Sequence, residues 1–223
     1  MTPSAHTVAM LLSDARLPSG GYAFSSGLEP ALQGGLSPNQ VGPYLRARAR
    51  TTTMVDAATA VVARAAGVRG DSYAPTEQAW AARTPSRATR QSSRELGRGL
   101  LRLATKLWRD SAPIASLTPN RVGWSRPVVL GAVAAHAGID PETLVRLAVY
   151  DDMACAVAAL LKLEPGDPID GVHIVMDACS SVDRFTTQLA ALTAPDAIPA
   201  ASAPQSEAWA EAHAVTNRRL FRA

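Results

Sequence analysis

Aromatic residues make up only 5% of the 223 positions, and few of the apolar runs are rich in β-branched residues. Both shortages disfavour sheet, and an abundance of alanine favours helix. Of the two cysteines, Cys155 and Cys179 each fall inside apolar helical patterns, away from any Cys-x-x-Cys or Cys/His spacing. That excludes a disulfide framework and predicts two buried thiols in a cytosolic chain. His6, His136, His173 and His213 are scattered, and a chance four-residue pair such as His173 with Asp177 does not make a metal spacing. There is no Gly-x-x-x-x-Gly-Lys-Ser/Thr loop and no Gly-x-Ser-x-Gly elbow. Gly97 and Gly99 lie within a helical pattern and make no dinucleotide fingerprint. No charged-then-apolar leader opens the chain, and no apolar run reaches the roughly 18 residues of a membrane span. A cytoplasmic chain is expected, and an interaction protein suits the absences better than an enzyme.

What remains is enough to build a core: 47% of residues are hydrophobic. The pattern predicts an all-α, single-domain helical bundle, with a core over 1–192 and an Ala/Pro linker and docking tail over 193–223. Short helices fall at Thr7 to Asp14 and Gly27 to Gln33. An Ala-rich helix runs from Ser37-Pro38 to about Ala66, weakened at Thr51-Thr52-Thr53. A further helix covers Thr76 to Arg83. Ser86 opens an amphipathic helix to about Trp108, with Leu96, Leu100, Leu103 and Leu107 on one face. Arg90, Arg94, Arg98, Arg102 and Lys106 form a curling basic stripe on the other side. After a Pro-rich loop, helices run from Pro127 to Gly138, from Asp140-Pro141 to Leu163, and from Asp170 to Ala191. The helix ending at Leu163 is apolar nearly all round and is expected to be central. Flexible sequence from Leu192 to Pro204 then leads to a tail carrying Trp209, Leu220 and Phe221 among arginines, which docks on the core or on a partner.

Two places concentrate candidate functional residues. Asp151 and Asp152 sit in the central helix with no cation four residues away. They require an ion partner from another element, or they line a polar passage. The second place is the stretch Ser13 to Glu29, which reads as helix, stiff elbow, helix. Pro18 fixes φ, Gly20 and Gly21 permit positive φ or close approach, and Ser25 or Ser26 can cap a helix starting near Gly27. The net charge of +3 and pI near 9.2 permit an acidic partner without arguing for nucleic acid. The rival readings are a nucleic-acid-binding regulator using the Arg90–Lys106 stripe and an enzyme using the Asp151/Asp152 carboxylates.

Taken whole, the elbow resembles the signature of the UreF family of urease accessory proteins. It carries Asp14, then Leu17-Pro18-Ser19-Gly20-Gly21-Tyr22, then Ser25-Ser26-Gly27-Leu28-Glu29. The run Arg126-Pro127-Val128-Val129-Leu130-Gly131-Ala132 and the closing Arg219-Leu220-Phe221-Arg222 are similar to further family segments. The chain departs from the family at Phe24, where His or Tyr is common, and at Asp167, where Gln is common. The resemblance implies an all-α, dimeric, non-catalytic protein that binds UreD (UreH in some systems). It also implies recruitment of the nickel-carrying GTPase UreG and delivery of nickel to the urease apoprotein. Nickel and GTP would act through the partners, with no cofactor or metal held by this chain. Partner contact is then expected at Pro18, Gly20, Gly21, Tyr22, Ser25, Gly27 and Glu29, with tail docking by Arg219, Phe221 and Arg222, while Lys162 joins Asp151 and Asp152 as a candidate for a polar passage or a partner or dimer contact.

Overall fold

A computed structural model describes residues 3–117, 122–216 and 220–221, and all regular structure among them is helical. The order is α1 (Ala5–Leu12), α2 (Leu28–Gln33), α3 (Val41–Ala49), α4 (Thr52–Arg69), α5 (Ala74–Ala82) and α6 (Arg87–Leu107). There follow α7 (Ala112–Ala115), α8 (Arg126–Ala137), α9 (Pro141–Leu163), α10 (Pro168–Asp183), α11 (Thr186–Ala190) and α12 (Pro204–Ala214). The starts follow capping chemistry. Ser86, Ser111 and Asp140 each accept a backbone N–H of the first turn, and proline follows in α7 and α9. Gly70 and Gly138 end α4 and α8 in the left-handed conformation.

Two helices expected as single pieces are divided. The run from Pro38 breaks at Arg50-Thr51 into α3 and α4, at the threonine cluster marked as weak. The run expected over Asp170 to Ala191 breaks at Arg184-Phe185, where Phe185 turns into the core and Arg184 stacks over its ring at 4.6 Å.

The most extensive helix contact is α4 against α8, both rich in small residues. Gly131 sets their approach, because a Cβ there would meet the Ala60 carbonyl and stand 2.6 Å from the Ala63 methyl. Gly131→Ala is therefore expected to cost about 1–3 kcal/mol by overpacking. Chemical denaturation should show a lower midpoint at unchanged slope, and an unchanged midpoint would contradict this packing. α9 is central as its pattern implies, reaching α1, α2, α3, α4, α8, α10 and α11. The buried face of α6 differs from the expected leucine stripe. It consists of Ser93, Gly97, Leu100 and Ala104, while Leu107 is half exposed. Gly97 admits the backbone of Trp124–Arg126, and Gly99 admits that of Ser19, so α6 seats two irregular segments at glycine.

The Ala/Pro stretch before α12 lies against the core. Ile198 is buried, and Arg83 donates to the carbonyls of Ile198 (2.7 Å) and Asp196 (3.0 Å). α12 then packs on α2 and α6. Its Glu211 accepts from Ser86 Oγ at 2.7 Å and the Ala88 N–H at 2.9 Å, placing a carboxylate at the N-terminus of α6. Those bonds, the Ala88 N–H first, hold the Glu211 carboxyl below its ordinary range.

Candidate functional site: an elbow over a charged cavity

The elbow spans residues 13–27 between α1 and α2. Asp14 fixes its entrance by accepting from the Arg16 N–H (2.9 Å), Nε (3.0 Å) and Nη2 (2.8 Å), which brings the exposed carboxyl down to about 2. Gly20 takes φ +90°, and a short 3-10 turn over Gly21–Ala23 follows. Of the glycine pair, only Gly20 uses the left-handed region. Gly21 does not, and a Cβ there meets nothing closer than Ser19 Oγ at 3.9 Å. Ser26 (φ +48°) and Gly27 (φ +78°) then take consecutive left-handed conformations. Gly27 is doubly constrained, since its Cβ would lie 3.2 Å from Arg48 Nη1 and 3.4 Å from the Tyr44 hydroxyl. Ser25 is buried and accepts the Glu29 N–H at 3.2 Å from two positions ahead of the N-cap, which is Gly27 rather than either serine. Pro18 and Tyr22 face solvent, Tyr22 with 73% of its surface exposed.

Beneath the elbow lies a cavity of about 330 Å³ walled by the elbow, α3, α4, α6, α8, α9 and α12. The two carboxylates of α9 line it, and each has the cation that its own helix lacks. Arg48 donates to Asp152 through Nε (2.9 Å) and Nη2 (3.0 Å), and Thr53 Oγ1 adds a third bond. Arg126 donates to Asp151. Burial works against ionised Asp152, but Arg48, Thr53 and Ser26 outweigh it and hold its carboxyl low. The same charges keep the Arg48 guanidinium protonated despite burial. Asp56 lacks a direct cation. It accepts from Trp80 Nε1 at 2.7 Å, and burial lifts its carboxyl to about 7. Cys155 donates its thiol to the Phe24 carbonyl at 3.4 Å, and burial raises its pKa. Two buried polar atoms on this cavity, Arg126 Nη1 and Thr52 Oγ1, have no hydrogen-bond partner among the described residues. No group of three His, Cys, Asp or Glu side chains among the described residues is placed to hold a metal ion.

Glu29, 3% exposed, joins the elbow to the tail. Its carboxylate accepts the backbone N–H of Leu220 (2.7 Å) and of Phe221 (2.8 Å), faces His213 Nε2 at 3.2 Å, and accepts from Gln33 at 3.3 Å. Phe221 is buried, with Lys162 Nζ 5.3 Å from its ring centroid. Trp209 of α12 covers Gly34, where any Cβ would collide with the indole, and meets the Tyr44 ring at a 60° tilt with 6.1 Å between centroids. The tail thus folds back on its own core. Glu29, Lys162 and Phe221, singled out separately in the sequence, meet at one place. Arg219 and Arg222 lie outside the described residues.

The basic stripe divides. Arg90 donates to the carbonyls of Thr84 (2.6 Å) and Pro85 (2.7 Å), and Arg94 pairs with Glu77 at 3.1 Å while lying 5.6 Å over Trp80. Arg98, Arg102 and Lys106 remain in solvent. Sequence reasoning missed the counter-ions Arg48 and Arg126, the tail-facing His213 and the role of Gly97 and Gly99. The unpaired aspartates signalled that cations must come from elsewhere, but nothing local said from where.

The described residues thus form an all-α scaffold in which a Leu-Pro-x-Gly-Gly elbow overlies a cavity lined by two Asp–Arg pairs. The sequence profile of the UreF family matches residues 36–179. The urease accessory protein UreF of Mycobacterium marinum is 36% identical over 221 residues, covering 96% of this chain and 98% of its own. That of a Mycobacterium species, strain JLS, is 38% identical over 166 residues (72% and 75%), and that of Mycobacterium bovis 32% over 192 residues (81% and 84%). The chain belongs to the UreF family of urease accessory proteins.

Proposed function

We propose that this chain acts as an adaptor in urease maturation. In this reading it binds UreD (UreH) and recruits and regulates the GTPase UreG, so that nickel reaches the urease apoprotein. It works in the cytoplasm, as a homodimer, without catalysing a reaction itself. The observation that carries the reading is the elbow. Its shape depends on left-handed glycines and on ion pairs beneath it, yet it presents Pro18 and a nearly bare Tyr22 outward. A rigid surface with an exposed aromatic is suited to a protein partner, because little ordering entropy is lost when it docks.

The test is co-expression of urease subunits with and without this chain and its accessory partners. Urease activity and bound nickel are expected only when it is present. Gly20→Val, which forces a β-branched residue to φ +90°, is expected to leave helix content intact and reduce assembly with UreD and UreG at least tenfold. Full urease activation without this chain would remove the reading.

A further inference from the structure

A second concavity lies on the outer side of the elbow, where Gly99 lets the Ser19 carbonyl settle onto α6. It measures about 370 Å³ and is lined by Ser19, Gly20 and Tyr22 to Phe24 on one wall and by Glu95, Arg98, Gly99 and Arg102 on the other. Arg98 and Arg102 are one helical turn apart, so their guanidinium groups rise from the same face of α6. The Arg98 side chain is 60% exposed, with only a loose 3.9 Å approach to Glu95, and Arg102 has no ion partner among the described residues. Tyr22 stands at the rim. An exposed tyrosine beside two under-used arginines has the composition of an interface anchor. Earlier on this helix Arg90 and Arg94 are turned inward onto carbonyls and Glu77, so the basic stripe is interrupted before the groove, where Arg98 and Arg102 are exposed with Lys106 one turn beyond.

We propose that the groove between the elbow and α6 receives an acidic segment of a protein partner, read by Arg98 and Arg102 with Tyr22 packing beside it. The inference rests on the adaptor reading and names where that adaptor makes a charged contact. Guanidinium groups bind carboxylates through paired hydrogen bonds, and two at one-turn spacing suit acidic side chains on a short segment. Nucleic acid fits less well. The exposed cations lining the groove are few, Arg98 and Arg102, whereas a protein held on duplex DNA makes about six or more phosphate contacts.

The test compares the full-length chain with Arg98→Glu/Arg102→Glu in co-expression with UreD and UreG, read by gel filtration and titration at 50 and 300 mM salt. Both arginines are outside the buried face of α6, and circular dichroism checks that helix content is kept. If reversal costs helix, Arg98→Gln/Arg102→Gln is read in its place. The expected result is assembly by the natural chain that weakens with salt, and at least tenfold weaker assembly by the charge-reversed form. Arg98→Lys/Arg102→Lys should lose less, and Tyr22→Ala should weaken assembly without changing its salt dependence. Undiminished assembly by the charge-reversed form overturns the groove and leaves the adaptor reading standing. Failure of the natural chain to assemble overturns both. Loss of binding to a 20-base-pair DNA duplex, with protein assembly unchanged, assigns the groove to nucleic acid and overturns the proposal.

Discussion

Replacing Asp152 by alanine should destabilise the fold by about 3–5 kcal/mol, the range for breaking one side of a buried ion pair. Arg48 would keep a guanidinium of which only 15% is exposed, having lost both its bonds to the carboxylate. The damage would not stay in the cavity. The same guanidinium lies against the Cα of Gly27, so losing its anchor loosens the hinge between elbow and α2. Urea denaturation followed by circular dichroism gives the measurement. Arg48→Met combined with Asp152→Leu should recover much of the loss, because a packed apolar pair costs little where an orphaned charge costs much. A loss below 1 kcal/mol in Asp152→Ala would mean that Arg48 finds water or another acceptor, and that the pair does not hold the elbow.

Glu29→Ala should release the tail. The carboxylate is the one acceptor shared by Leu220, Phe221, His213 and Gln33, and a methyl group replaces none of those bonds. The backbone donors can be satisfied again only by turning to water, which means leaving the core, since a buried unpaired N–H costs about 1–3 kcal/mol. Limited proteolysis should then cut between 214 and 221 at least tenfold faster than in the natural chain, with Glu29→Gln intermediate. Equal rates would show that Phe221 and Lys162 hold the tail unaided. A truncation after Thr216 isolates the same contact. One after Ala201 would also remove Trp209 from Gly34 and Glu211 from the start of α6, so it tests folding as well as docking.

Local chemistry was legible in the sequence wherever it is decided within a few residues. Ser86 and Asp140 cap where their patterns place them, and the threonines at 51–53 mark the α3/α4 break. The break at Arg184-Phe185 carries no glycine or proline to announce it, and Phe185 there packs partly buried against the core. The aspartates of α9 announced that partners were needed, but Arg48 and Arg126 are 104 and 25 residues away, and only the bundle's geometry pairs them. Gly97 and Gly99 were visible as glycines in a helix. Their purpose is to admit backbone from two other segments, and that becomes readable only once those segments are in place.

The bond between Glu29 and Phe221 spans 192 positions of sequence. At roughly 5–20 residues per second of synthesis, the elbow's acid would wait on the order of 10–40 s on the ribosome before its acceptor sites could be filled. Closing so long a loop also carries the largest entropic cost of any contact at the site, though that cost grows only logarithmically with length. The elbow is thus made well before the segment that completes its hydrogen bonds. A chain ended before Leu220 would leave the Glu29 carboxylate without two of its backbone donors.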